Sequence, residues 1–85
     1  MTYAEFQNNL LLADRMISGC ALQKVEYGRG YSEGIQFHFS HPHSTSLPDT
    51  YALADIARRN GSCDVHSYAR GYRDGCKGLK PEFTG

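Results

Sequence analysis

Four histidines and three cysteines are the side chains in this 85-residue chain best suited to chemistry. His38, His41 and His43 spell His-x-x-His-x-His, Cys63-x-x-His66 follows later, and Cys20 and Cys76 stand apart. Imidazole and thiolate are good zinc ligands, and two residues three apart at a helix start face the same way. A closed zinc site needs a second spaced pair to complete its tetrahedron. No Cys-x-x-Cys occurs, and nothing pairs with Cys63 and His66. Solvated loop histidines and a core cysteine explain the pattern more simply. No metal or other cofactor is expected, and His38, His41 and His43 are the ligand set to examine if one binds. Cys63-Asp64-Val65-His66 brings a thiol, a carboxyl and an imidazole together in sequence, but a catalytic triad is a matter of spatial geometry. Gly28-x-Gly30 lacks the third glycine and the preceding strand of a dinucleotide fingerprint. A chain this short also has little room to preorganise a site and its support. Catalysis is therefore not expected.

The strongest pattern is a repeat. Tyr27-Gly-Arg-Gly-Tyr-Ser-Glu-Gly34 returns as Tyr68-Ala-Arg-Gly-Tyr-Arg-Asp-Gly75, an offset of 41 residues. The same offset lays Leu12-Ala13-Asp14 onto Leu53-Ala54-Asp55. Two blocks sharing one offset suggest an internal duplication, with units of about 1–40 and 44–80. On a helix, Tyr27, Tyr31 and Gly34 (or Gly30) share a face, as do Tyr68, Tyr72 and Gly75. Arg29 stands four residues before Glu33, and Arg70 four before Asp74, so each is expected to form an ion pair along its helix. Each interior glycine costs a helix about 1 kcal/mol relative to alanine. Close approach of another backbone is the simplest compensation. The second and fourth helices are therefore expected to cross near Gly30 and Gly71, with Gly34 and Gly75 continuing the contact and Tyr27, Tyr31, Tyr68 and Tyr72 packed around it.

Four helices must carry these residues. Thr2 and Glu5 form a capping box ahead of Phe6, Leu10, Ala13 and Ile17 at helical spacing. Ser18-Gly19 stops that helix, and a second is expected from about Ala21 to about Gly34. Ile35, Phe37 and Phe39 alternate with polar residues, so a short β segment over 35–40 competes evenly with an extension of the helix. Residues 41–46 read as a loop. Ser46, Pro48 and Asp49 are expected to open a third helix, which Asn60-Gly61 closes. Ser62 is expected to cap a fourth, with Val65, Tyr68, Ala69, Tyr72 and Cys76 as its apolar stripe. The segment from Lys80-Pro81 onward is expected to fray. The fold class is thus mainly α, one domain over residues 1–85, with four short helices as two duplicated helical hairpins.

Composition narrows the partners. With 40% hydrophobic residues, the chain must use its six Tyr and four Phe heavily. A homodimer would add burial and remains open. Nine basic and nine acidic residues give a net charge of zero. Binding to phosphate backbones draws on a basic excess, so nucleic acid is disfavoured, short of a local arginine patch. The apolar run Leu10 to Ala13 is too short for a membrane span or a signal segment. An odd number of scattered cysteines fits reduced thiols, and a cytoplasmic setting is expected.

The size, the balanced charge and the Gly-Tyr-x-Asp-Gly segment (Gly71 to Gly75) resemble small accessory proteins of phages and prophages, including anti-CRISPR and other anti-defence proteins. That resemblance implies stoichiometric inhibition, a partner's surface occluded by binding, and transfers no functional residues. A protein partner is the leading expectation, with a small-ligand or zinc-binding protein as the alternative and a nucleic-acid-binding dimer as a third reading. Tyr and Arg are favoured at interface hot spots, so Arg29, Tyr31, Arg70, Tyr72 and Arg73 are the expected contact face.

Overall fold

The computed structural model describes residues 2–41 and 48–83. It contains four helices: α1 (Tyr3–Ile17), α2 (Leu22–Ser40), α3 (Thr50–Arg59) and α4 (Val65–Cys76). The capping box is formed. Thr2 Oγ1 accepts from the Glu5 N–H at 3.2 Å, and the Glu5 carboxylate accepts from the Thr2 N–H at 3.4 Å. These contacts satisfy amides that a first helical turn leaves without partners. At the other end the Ser18 N–H and hydroxyl both return to the Asp14 carbonyl, each at 3.0 Å.

Of the two alternatives over 35–40 the helix is the one formed: α2 runs on to Ser40. The reason is visible in the packing. Ile35 is fully buried, and Phe39, one turn later, stacks on Phe6 with ring centroids 4.3 Å apart. Those two residues share a helical face, whereas Phe37 between them stays 36% exposed and stacks on His41. Apolar alternation arose here from one core face plus an aromatic pair outside it.

Later starts and stops differ in detail from expectation. Asp49 is the cap of α3, its carboxylate accepting from the Ala52 N–H at 2.8 Å, while Ser46 lies outside the described residues. Asp64, not Ser62, caps α4 by accepting from the Ser67 N–H at 3.1 Å. Ser62 instead holds the Asp64 N–H at 3.2 Å. After α4, Gly78 takes a left-handed φ of +70° and the Leu79 N–H returns to the Asp74 carbonyl at 3.1 Å. The chain then folds back over the core instead of fraying, with Pro81 buried and Phe83 half-buried.

The α2–α4 pair is the largest contact in the molecule; α1 packs on α2 and α3 on α4. The two central helices lie parallel, since residue numbers rise together along the contact. A side chain at Gly30 would overlap the Tyr68 carbonyl oxygen, and one at Gly71 would overlap that of Tyr27. One turn on, Gly34 faces the Tyr72 carbonyl, and a Cβ at Gly75 would lie 2.5 Å from the Tyr31 oxygen and 2.6 Å from the Ile35 nitrogen. The contacts are reciprocal: each glycine meets the residue equivalent to its counterpart's neighbour. The hydrogen that replaces each side chain points at a carbonyl oxygen of the other helix, the geometry of a weak Cα–H···O bond. Reciprocity stops there. Ala13 is fully buried but Ala54 half-buried, and Leu53 is buried but Leu12 half-buried.

Alanine at Gly30 or Gly71 should gain about 1 kcal/mol of helix propensity. Overpacking against main chain, which cannot rotate away, should cost more, at the upper end of about 1–3 kcal/mol. Urea unfolding of Gly30→Ala and Gly71→Ala should therefore show net destabilisation for each; a gain in stability would mean the helices are not in backbone contact.

Candidate partner-binding site

The expected contact residues fall into separate environments. Arg29 is engaged within the fold: Nη1 donates to the Glu26 carboxylate at 2.7 Å and Nη2 to the Asn60 carbonyl at 2.5 Å. Its guanidinium also sits 5.9 Å from the Tyr68 ring centroid. Glu26 was not anticipated. It is 2% exposed and also accepts from the Cys63 N–H at 3.2 Å, so it ties α2 to the α3–α4 connection. The expected Arg29–Glu33 and Arg70–Asp74 ion pairs are not made. Among the described residues the ion pairs are Arg29–Glu26 and Arg59–Asp55. The nearer, desolvated Glu26 takes Arg29, and Asp74 accepts instead from the Tyr27 hydroxyl at 2.6 Å.

Tyr31 is wholly buried, and its hydroxyl donates to the Leu79 carbonyl at 2.5 Å, which removes it from the surface of this conformation. Tyr27 and Tyr68 are equally enclosed, and Tyr68 accepts from the Asn60 side-chain amide at 2.7 Å. Tyr72 remains half-buried on α4. A buried aromatic hydroxyl requires a partner, and these residues have theirs.

Two clefts flank the remaining arginines. One, of about 330 Å³, is lined by Thr50, Leu53, His66, Ala69, Arg70 and Arg73. The other, of about 530 Å³, is lined by Arg70, Arg73, Asp74, Leu79, Lys80 and Glu82. Arg70 and Arg73 are common to both and form the ridge between them. Arg73 is exposed, Arg70 half-buried, and neither takes part in an ion pair among the described residues. Arg29 lines a different, smaller cleft of about 220 Å³ with Ile17, Ser32, Glu33, Asn60 and Tyr68. The structure therefore groups Arg70 with Arg73 and leaves Arg29 elsewhere.

The histidines and cysteines are dispersed. His38 Nδ1 lies 3.0 Å from the Cys76 carbonyl, with its ring against Gly78, and His41 Nδ1 lies 3.3 Å from the Phe37 carbonyl. His43 lies outside the described residues. Among the described residues no three His, Cys, Asp or Glu side chains cluster as a metal cage. Cys20 and Cys63 are exposed, and Cys76, on the expected apolar stripe of α4, is half-buried. Among the described residues no helix is long and apolar enough to cross a membrane.

No protein-family model, curated protein or solved structure matches this chain. What can be said of its activity rests on the geometry above.

A buried carboxyl on the acid side and several enclosed phenols on the alkaline side contribute to the pH response; burial raises Tyr31, Tyr68 and Tyr72 as well as Tyr27. At Glu26, burial pushes the carboxyl up, but hydrogen bonds from Ser62, Arg29 and Cys63 and the Arg29 charge outweigh it and hold the group below its ordinary 4.5. The ionised form is thus favoured by folding. Its contribution is complete above the unfolded value and is lost as pH falls through the lower folded one. At Tyr27, burial, reinforced by Asp74, pushes the phenol from 10.0 up to about 12. That contribution is complete below 10.0 and is lost as pH rises towards about 12. Thermal unfolding across pH should show stability falling at both extremes. Glu26→Gln should reduce the acid limb, and Tyr27→Phe should reduce the alkaline limb, which Tyr31, Tyr68 and Tyr72 share; limbs unchanged by these substitutions would contradict the assignment.

Proposed function

We infer that this protein acts by binding a protein partner through the ridge formed by Arg70 and Arg73 and the two clefts beside it. The observation that carries this reading is a pair of neighbouring guanidinium groups on one helix, without ion-pair partners among the described residues and bordered by clefts on both sides. Guanidinium groups present a rigid fork of donors that grips carboxylates in bidentate fashion. Lys80 lines the same region beside Asp74 and Glu82, so what singles it out is the pair of guanidinium forks and not an excess of charge, and the half-exposed Leu79 supplies an apolar neighbour. An acidic protein surface is the matching partner. The mode is stoichiometric occlusion of that surface, without turnover.

Arg29 plays a different part in this reading. Removing it leaves Glu26 buried without its main counter-charge, so Arg29→Ala acts on stability. Affinity capture from a host lysate separates the roles. The Arg70→Ala/Arg73→Ala double variant should retain its helical circular dichroism and lose capture by roughly thirtyfold or more, the scale of a hot-spot pair. Arg29→Ala should unfold more readily while its folded fraction captures normally. Unchanged capture by the double variant would overturn the proposal.

A further inference from the structure

The segment after α4 is held in an unusual manner. From Leu79 to Phe83 it has no regular secondary structure, and it lies over the buried tyrosines of α2. Tyr31 donates to the Leu79 carbonyl at 2.5 Å, and the Glu82 N–H donates to the Tyr27 hydroxyl at 3.2 Å. Between these two main-chain contacts Pro81 is buried, a residue with no N–H to satisfy. Phe83 then packs on the Tyr27 ring, centroids 5.7 Å apart, with the Arg70 guanidinium 5.7 Å from its own centroid. Two hydroxyls thus read one carbonyl and one amide of an extended chain, and an aromatic ring is clamped between Tyr27 and Arg70. These are the elements by which grooves recognise extended peptides: main-chain hydrogen bonds for affinity and a side-chain pocket for selectivity.

We propose that the groove over Tyr27 and Tyr31 is a peptide-binding site, and that residues 79–83 occupy it as an intramolecular ligand standing in for a partner's segment. The partner presents an extended stretch with a proline followed by an acidic residue and an aromatic. This rests on the binding reading above and names the chemistry of its partner. Arg70 belongs to both the aromatic clamp and the exposed ridge. Leu79, Lys80 and Glu82 of the tethered segment form part of that cleft, so a peptide that takes the segment's place also rebuilds the wall beside Arg73. Beyond Leu79, whose N–H returns to the Asp74 carbonyl, the segment belongs to no helix or sheet ladder and is held by two tyrosine hydroxyls and the packing of Pro81 and Phe83. The arrangement suits a segment that leaves as well as one that stays. Gly78, in its left-handed turn, is where the chain departs from α4 and supplies the pivot.

A tethered segment competes at an effective concentration on the order of millimolar, so an incoming peptide binds only in proportion to the fraction of open groove. Loosening the tethered copy must therefore strengthen binding of a free one. The probe is a fluorescent synthetic peptide, Leu-Lys-Pro-Glu-Phe-Thr-Gly, titrated by anisotropy into the full chain. Phe83→Ala, which removes the clamped ring, and Glu82→Pro, which removes the amide donor, should each bind it at least about tenfold more tightly than the unsubstituted chain. The second variant alters no helix residue and guards against misfolding of the first. A peptide with alanine in place of its phenylalanine should bind none of the chains. Saturating peptide should also release the protein captured through Arg70 and Arg73. Equal affinity for all chains, or no binding to any, overturns the proposal. Capture that survives saturating peptide overturns it too, while leaving the arginine reading in place; that reading fails separately, if the double arginine variant captures normally.

Discussion

Main chain against main chain, between α2 and α4, is the contact on which the other features depend. Helices ordinarily stand 8–10 Å apart because side chains fill the space between their axes. Here four glycines remove that spacer at the positions where each helix meets a carbonyl of the other. The gain is dispersion contact along two turns and a set of weak Cα–H···O interactions. The loss is the helix propensity of four alanines, roughly 1 kcal/mol each. Such an exchange favours the fold only if the helices cannot pack otherwise, and the reciprocal register sees to that. A helix shifted by one residue would drive tyrosine side chains into the opposing backbone.

Bringing the two backbones together pushes the tyrosines out to the flanks of the crossing, where their rings cover the seam. A ring of that size buried in a chain of this size contributes strongly to the core, but its hydroxyl must then find a partner. The chain solves this at three places with three different groups. Asp74 serves Tyr27, the Leu79 carbonyl serves Tyr31 and Asn60 serves Tyr68. Glu26 is a fourth buried polar group, satisfied by Arg29 and by the α3–α4 connection. No described buried side-chain nitrogen or oxygen lacks a hydrogen bond. These pairings fix the connection after α3 and the segment after α4 to the central pair, although neither has regular structure of its own.

Much of this was legible in the residues. Glycines at repeated helical spacing beside tyrosines signal a backbone crossing, because close approach of another main chain is the simplest compensation for their cost. Capping chemistry located the start of α1. What resisted reading was the partnership of individual polar groups. Arg29 has Glu33 four residues on and Glu26 three residues back, and sequence spacing cannot say which is desolvated. The packing of Pro81 and Phe83 after α4 was not legible, since a short tail without helical or strand periodicity is expected to fray. The alternation at residues 35–39 was helical, since period-two patterns also arise when a core face and a surface aromatic pair interleave. For the contact face, residue type singled out the arginines, and only the tertiary arrangement separates one that braces the fold from two that line open clefts.

If the glycine crossing is the element that the rest is built on, it must also be the last to open. Native-state hydrogen exchange read residue by residue tests this directly, because amides in the most stable unit exchange only through global unfolding. The amides of residues 30–35 in α2 and 71–76 in α4 should be the slowest in the chain and share one opening free energy, with those of α1 and α3 faster. Slowest exchange in α1 or α3, or different opening free energies for the two central helices, would contradict a core organised around their contact.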